Sequence, residues 1–252
     1  MKVLVTFAVE AEFAPWRRLR QFSQSDLGDV RAYSAQVKDA ELVVLLTGVG
    51  GRRAWAEATK LIWDGNVDVC ISSGLAGALR EEHRPGDVLA AKEVYATSRK
   101  KVIPSDPALL ELARACGAKI VDAFYGVDHV LVRSSEKREL GAKADAVEME
   151  SGDIMLEAVA FGAKVIAIRA ISDALEEDLP VDFNRVTSEA GEVSIAKIVA
   201  QAAAHPRSIP ALIRFGLQSR NAAEKLATVL DACIERLVSK DHMKRAKEAS
   251  AK

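Results

Sequence analysis

The apolar positions of the chain alternate between two rhythms: short β-branched runs that read as buried strands, and stretches with apolar residues three and four apart that read as helices. Residues 2–8 form the first such run, and a helical pattern through Glu12, Phe13, Trp16 and Leu19 follows it, with Pro15 placed in the first turn, where a missing N–H costs nothing. Residues 23–29 read as a turn, and 30–38 with 41–47 as a hairpin turning near Lys38-Asp39. Gly48-Val49-Gly50-Gly51 then opens a helix through Ala54, Ala58 and Ile62. Residues 67–72 are another buried strand, leading into Ser73-Gly74-Leu75-Ala76-Gly77. Pro85-Gly86-Asp87 marks a turn before a strand at 88–94. Residues 96–105 are polar and basic without periodicity and read as an exposed loop. A helix over 106–116 takes Ser105 or Asp106 as its cap and Pro107 as its first residue. Strands at 118–124 and 128–133 and a short polar helix from Ser134 or Ser135 come next. Residues 164–173 are almost wholly apolar and end in Ser172-Asp173, so polar groups arrive at the C-terminal end of a buried strand, where open α/β sheets bind ligands. An acidic loop over 175–185, a helix over 187–203, a break at His205-Pro206 and a long amphipathic helix over 208–239 complete the chain.

Strands alternating with helices, plus one hairpin, predict an α/β fold: a single domain with a central mixed twisted sheet flanked by helices. Residues 1–204 form that domain. Residues 205–252 are expected as a helical extension on it, with Ile209, Leu212, Ile213, Leu217, Leu226 and Leu230 packing on the core or on a partner subunit. The basic tail (Lys240, Lys244, Arg245, Lys247, Lys252) reads as a solvated helix end rather than a nucleic-acid contact. Hydrophobic residues at 49% and charged residues at 28% exclude a disordered chain, and a net charge of −1 argues against a general polyanion binder. No apolar stretch reaches the roughly 18–20 residues of a membrane span, and the first run leads straight into Glu10 and Glu12 without a cleavage site. Cys70, Cys116 and Cys233 read as free thiols in a reducing compartment, which places the protein in the cytoplasm.

Candidate chemistry narrows quickly. The four histidines, His83, His129, His205 and His242, have no metal-ligand spacing, so no metal is expected. There is no Gly-x-Ser-x-Gly elbow for a hydrolase triad. The glycine-rich turn at 48–51 fails the dinucleotide fingerprint and lacks the P-loop Lys-Ser/Thr pair, leaving either a tight turn or backbone N–H groups that hold an anion or a hydroxyl. The carboxylates remain: Glu10, Glu12, Glu148, Glu150 and Asp173 all fall at or just beyond strand ends.

Six segments occur together in a telling order: Phe7-Ala8-Val9-Glu10-Ala11-Glu12, Thr47-Gly48-Val49-Gly50, Gly74-Leu75-Ala76-Gly77, Pro85-Gly86-Asp87-Val88, Val147-Glu148-Met149-Glu150 and Arg169-Ala170-Ile171-Ser172-Asp173. Over residues 1–185 the chain thereby resembles the nucleoside phosphorylase/nucleosidase superfamily, and within it the methylthioadenosine/S-adenosylhomocysteine nucleosidase branch. The resemblance implies a single α/β domain, no organic cofactor, a homo-oligomer, most simply a dimer, and cleavage of the N-glycosidic bond of a purine nucleoside. It makes Asp173 the general acid that protonates the purine at N7, held near neutral pH by a pKa that burial beside an apolar strand would raise. Ser172 would position that carboxyl group, Glu150 would grip the ribose hydroxyls, and Met149 would pack on the sugar. Glu12 would activate the attacking water, with Arg169 helping to fix it. Glu148, Gly74, Val130 and Leu131 fall in the matching substrate-binding segments.

The nucleophile and the substrate are less settled by the motifs. The family's purine phosphorylases carry an arginine two residues before the glycine that is Gly74 here, and this chain has Ser72. Water is therefore expected, although Arg52, Arg53 and Arg169 stay open as phosphate ligands, which keeps a phosphorylase as the alternative. A nucleoside-binding or storage protein without turnover is a third reading, opposed by the presence of both Asp173 and Glu12. Leu75 replaces the serine usual in the nucleosidases, and Asp128-His129-Val130-Leu131 offers no stacking ring where they carry a phenylalanine. The loop at 96–105 is also short. A modified purine nucleoside, such as futalosine or an adenosyl-lipid intermediate, thus stands beside methylthioadenosine as a substrate class.

Overall fold

Side chains on the first strand alternate, as the two-residue period of a strand requires: Val3, Val5 and Phe7 enter one core cluster and Leu4 the other. The architecture is that of a computed structural model that describes all residues except 28–29, 51–58, 60–61, 63–65, 189–190, 192, 205 and 251–252, with the side chains of 25–30 and 240–250 also outside the description. Strand β1 (Lys2–Phe7) lies in parallel between β4 (Ala40–Leu46) and β5 (Val69–Ala78). Beyond β4 come β3 (Val30–Val37) and β2 (Ser23–Leu27), both antiparallel, so the predicted hairpin is present. Of the turn read at 23–29, residues 23–27 are instead an edge strand.

On the other side, β10 (Lys164–Asp173) pairs in parallel with β5 and antiparallel with β6 (Val88–Ala96). β6 then pairs with β8 (Lys119–Gly126), β8 with β9 (Ala146–Glu148), and β9 returns to β5. Five strands therefore close a ring, with β1 to β4 as its open extension. The bends fall at Gly74, where φ is +143°, and at an irregularity in register between Ile171 and Asp173. Strand β7 (Lys101–Pro104) adds to the edge of β6, where an exposed loop was expected: Ile103 is buried and Val102 exposed, an alternation too short to stand out among lysines.

Helices cover both faces. Phe13 and Trp16 of α1 (Glu10–Leu19) and Leu226, Leu230 and Ile234 of a long C-terminal helix share a cluster with Val3, Val5, Phe7 and Ile168. Pro15 lies in the second turn of α1, since the helix begins at Glu10; the cluster around Phe13 and Trp16 holds the helix past the missing N–H. Helix α2 (Pro107–Ala115) starts as expected, Asp106 accepting from the N–H groups of Ala108 and Leu109. After β8 the backbone of 128–133 forms no ladder: Leu179 N–H donates to Val132 O, and the Asn184 side chain bonds both backbone groups of Val130. Helix α3 (Ser134–Leu140) is the predicted polar helix, and Ile154, Met155 and Ala158 of α4 (Ser151–Ala160) cover the second face.

The acidic loop contains one turn of helix, α5 (Phe183–Val186), and the helix expected over 187–203 begins only at Ile195, as α6 (Ile195–Ala204). Gly191 is the reason: with φ at +78° it presses on Val49, whose N–H donates to its carbonyl, and a Cβ there would lie 2.7 Å from the Val49 backbone. The last helix, α7 (Ile209–Ser250), splits in character. Leu226 and Leu230 are buried on the sheet, whereas Ile209, Ile213 and Leu217 are exposed. Trp16 and Arg20 bind its Asp231, and Arg20 also Glu235. No helix of the described residues is long and apolar enough to cross a membrane. The predicted helix through Ala54, Ala58 and Ile62 falls largely outside the described residues.

Candidate active site

Because β1, β5 and β10 run parallel, their C-terminal ends meet, and a cleft of about 1320 Å³ opens there. Glu12, Met149, Glu150, Leu131 and Asp173 all line it. Glu12 stands in the first turn of α1. Its carboxylate accepts the N–H groups of Ala8 (2.9 Å), Val9 (3.2 Å) and Leu75 (2.8 Å), so a helix start and the middle of β5 hold it from two sides. Burial pushes this carboxyl up, against the pull of Arg169 and of those three donors.

Arg169, 1% exposed on β10, faces Glu148 (2.6 Å) and Glu150 (3.2 Å) and also donates to Ser151 Oγ (3.0 Å). It also presses close to Glu12. A Cβ on Gly74 would lie 2.6 Å from Arg169 Nη1 and 3.0 Å from Glu12 Oε1, so only glycine lets the two groups approach at that bend. Arg169 was expected to fix Glu12; its ion pairs go instead to Glu148 and Glu150 and its hydrogen bonds to Ser151, with longer ones to Ser72 Oγ and Leu75 O (both 3.5 Å), and Glu12 feels its charge. Glu148 is doubly engaged, its Oε2 also accepting the N–H groups of Glu150 and Ser151 at the start of α4. Glu150 accepts from Gly50 N–H (3.2 Å). Burial, with Glu148 and Glu12 nearby, pushes the Glu150 carboxyl up to about 7 although Arg169 draws it down.

Asp173 sits at the other end, 5% exposed. Ser172 Oγ donates to its Oδ1 (2.6 Å) and accompanies it as expected. Its surroundings differ from the apolar setting expected of it. Lys137 of α3, 1% exposed, donates to Oδ2 and also to the carbonyls of Ala174 and Glu177, both at 2.9 Å. The carboxyl group thus shares its burial with a cation that sequence reading passed over. Lys137 lies inside Glu136-Lys137-Arg138-Glu139, which looks like any solvated helix face, and only Leu140, three residues on, hints that this side turns inward.

Two expectations change. The described N–H groups of the glycine-rich turn are all used within the protein: Gly48 donates to Ala8 O, Val49 to Gly191 O and Gly50 to Glu150. None of the three is left to hold an anion; Arg52 and Arg53 lie outside the described residues. Val130 lines the cleft, but its N–H and C=O are both held by Asn184, at 2.8 and 2.9 Å. Leu131 packs with Leu79, Ala123, Ala144 and Val147. Among the described residues, Glu82, His83 and Asp145 are close enough to share a metal ion, but the oxygens of Asp145 already face His83 (3.2 Å), Arg80 (3.1 Å) and the N–H groups of Asp122 and Ala123. That cluster is an ion-pair network.

The sequence matches the Phosphorylase superfamily over residues 2–235, nearly the whole chain. The chain belongs to that superfamily. The match extends past the limit near residue 185 that the motifs alone suggested. Among relatives, a 5′-methylthioadenosine/S-adenosylhomocysteine nucleosidase of Staphylococcus aureus is 26% identical over 196 residues, covering 69% of this chain and 86% of its own. Among solved structures, a Helicobacter pylori 5′-methylthioadenosine/S-adenosylhomocysteine nucleosidase complexed with butyl-thio-DADMe-Immucillin-A superposes with a TM-score of 0.72 at 18% identity, covering 94% of this chain and 98% of the other. Futalosine hydrolase of Helicobacter pylori superposes with a TM-score of 0.70 at 19% identity, covering 94% and 98%. These likenesses establish the α/β fold.

Among the described residues, the part of the cleft floor around Arg169 is rich in carboxylates, while Arg18, Arg31 and Arg220 line the cleft elsewhere. Ser72 is fully buried and hydrogen-bonded to Ser151 Oγ (2.9 Å). Arg169, beside it, is committed to carboxylates. Three acidic groups face one guanidinium there, an arrangement that offers an anion no surplus of positive charge.

Proposed function

We propose that the protein hydrolyses the N-glycosidic bond of a purine nucleoside, releasing the free base and the sugar. The observation that carries this reading is the charge of the cleft floor: Glu12, Glu148 and Glu150 surround Arg169, which suits water and a developing oxocarbenium ion rather than phosphate. Departure of the base leaves positive charge on the ribose and negative charge on the purine, so a catalyst gains most by opposing both. Asp173, oriented by Ser172, protonates the purine at N7. Glu150 grips the ribose hydroxyls, with Met149 against the sugar, and places negative charge beside the cationic carbon. Glu12 removes a proton from water, a task that suits a carboxyl group raised by burial. Arg169 keeps the acidic cluster together and Gly74 makes room for it. The nucleosidase named among the relatives supports the same reaction.

The size and lining of the cleft support a substrate larger than an unsubstituted nucleoside. Leu179, Phe183, Val193, Ile195 and Phe215 form an apolar wall, suited to a 5′ substituent. The test is a panel of purine nucleosides, with and without 5′ substituents, incubated without phosphate and assayed for free base. Release of base from 5′-substituted members supports the reading; binding without release, unchanged in Asp173→Asn, favours a nucleoside-binding protein instead. A second copy of the chain is the partner that would cover Ile209, Ile213 and Leu217, giving a homodimer that sedimentation would detect. The free thiols Cys70, Cys116 and Cys233 fit work in the cytoplasm.

A further inference from the structure

A lysine buried to 1% exposure is rare unless it is paired and its donors are satisfied. Lys137 has three acceptors in reach, Asp173 Oδ2 and the carbonyls of Ala174 and Glu177, matching the three donors of an ammonium group. Its position is firmly built. Helix α3 carries it, and the loop after β10 folds over it, with Glu177 accepting the Ala174 N–H, Asp178 accepting the Ser134 N–H, and Arg133 paired with Asp178. Arg138 and Glu176 pair outside. The neighbouring charges are therefore matched among themselves, and Lys137 is left to Asp173.

Cost and use can be weighed. Holding the loop needs only the two carbonyls, and a neutral donor would serve. Placing an ammonium on the one carboxylate at the base end adds a buried charge pair whose desolvation is expensive, which is a poor way to gain stability. It is a good way to hold a mobile proton next to an acid. We propose that Lys137 is a positioning residue that acts through Asp173: it fixes the carboxylate and supplies the proton that Asp173 passes to the leaving purine. This inference rests on the nucleosidase reading above.

The step balances. As the N9–C1′ bond breaks and its electron pair goes to the purine, the Asp173 carboxylate takes a proton from Lys137 Nζ and passes it to N7, so that Asp173 ends ionised and Lys137 neutral. Water bonds to C1′ and loses a proton to Glu12. After the products leave, Lys137 regains a proton from solvent through the cleft and Glu12 releases one, so a turnover consumes one water molecule.

The test compares a purine nucleoside with 4-nitrophenyl riboside, whose phenolate leaves without a proton. Lys137→Met is expected to lower kcat on the purine nucleoside about 100-fold or more, with a smaller change in KM, and to lower hydrolysis of the aryl riboside less than about tenfold. Lys137→Arg keeps the charge but holds its protons too tightly to pass one on, and is expected not to restore the rate. Restoration by arginine, equal losses on both substrates, or a purine rate within threefold of wild type would each overturn the proposal. The wild-type enzyme gives a reading that does not depend on variants folding. In heavy water its kcat for the purine nucleoside should fall more than its kcat for the aryl riboside; equal solvent isotope effects contradict the relay. If the wild type cleaves the aryl riboside but releases no base from any purine nucleoside, the purine nucleosidase reading fails first and the relay with it.

Discussion

The two ends of the cleft are charged in opposite ways. At the end assigned to the sugar and water, three carboxylates share one guanidinium, and burial drives two of them, Glu12 and Glu150, above the ordinary carboxylate range. At the end assigned to the base, one carboxylate has a lysine ammonium to itself. The first end can stabilise a cation and take up a proton; the second can give a proton away. That is the division of labour N-glycosidic cleavage requires, since the departing pair carries positive charge on one side and negative on the other. The contrast also explains why the two ends should fail differently.

The largest effect is expected at the base end. Asp173→Asn should lower kcat on purine nucleosides by about 10²–10⁴-fold, and the loss should shrink for a leaving group that needs no proton. At the sugar and water end, Glu12→Gln should cost about 10²–10³-fold regardless of the leaving group. Rates for both variants on a purine nucleoside and on an aryl riboside give the comparison, and the same leaving-group dependence in both would erase the distinction between the ends.

Gly74→Ala tests how the acidic end is assembled. The added Cβ would press on Arg169 and Glu12 at a φ of +143°, so a melting experiment should show a loss of about 1–3 kcal/mol, accompanied by slower turnover. A stability effect of comparable size comes from pH. Burial raises Glu150 in the folded state, so the folded protein binds a proton that the unfolded chain has released. Its contribution is fully present below the unfolded value and is lost as pH rises through about 7, on the order of 3 kcal/mol for a shift of this size. Denaturation between pH 5 and 8.5 should show that decline in the wild type and a flatter line in Glu150→Gln.

The sugar and water end was far more legible in the sequence than the base end. Strands β1, β5 and β10 announced themselves because both faces of each are buried, which leaves largely apolar runs broken by few polar residues such as Ser72, Ser73 and Arg169. Glu12 and Asp173 follow from the exits of β1 and β10, and Glu150 from its place just after the short β9. Lys137 does not, because a lysine between Glu136 and Arg138 looks solvated until the loop after β10 folds over it. The closed ring of strands was equally hidden, since it depends on β9, only three residues long, and on a bend at Gly74. The strand expected at 128–133 and the long helix expected from Thr187 both had suitable residues. They lost to side-chain and loop contacts made by Asn184 and Gly191, which no periodicity reveals.

The fate of the sugar tests the central claim most directly. Purified protein is incubated with its best purine nucleoside, with and without inorganic phosphate, and the sugar product is identified. A cleft floor in which Arg169 is committed to carboxylates predicts base release at the same rate in both conditions, with free sugar as the product. Release that requires phosphate and yields the sugar 1-phosphate would contradict it.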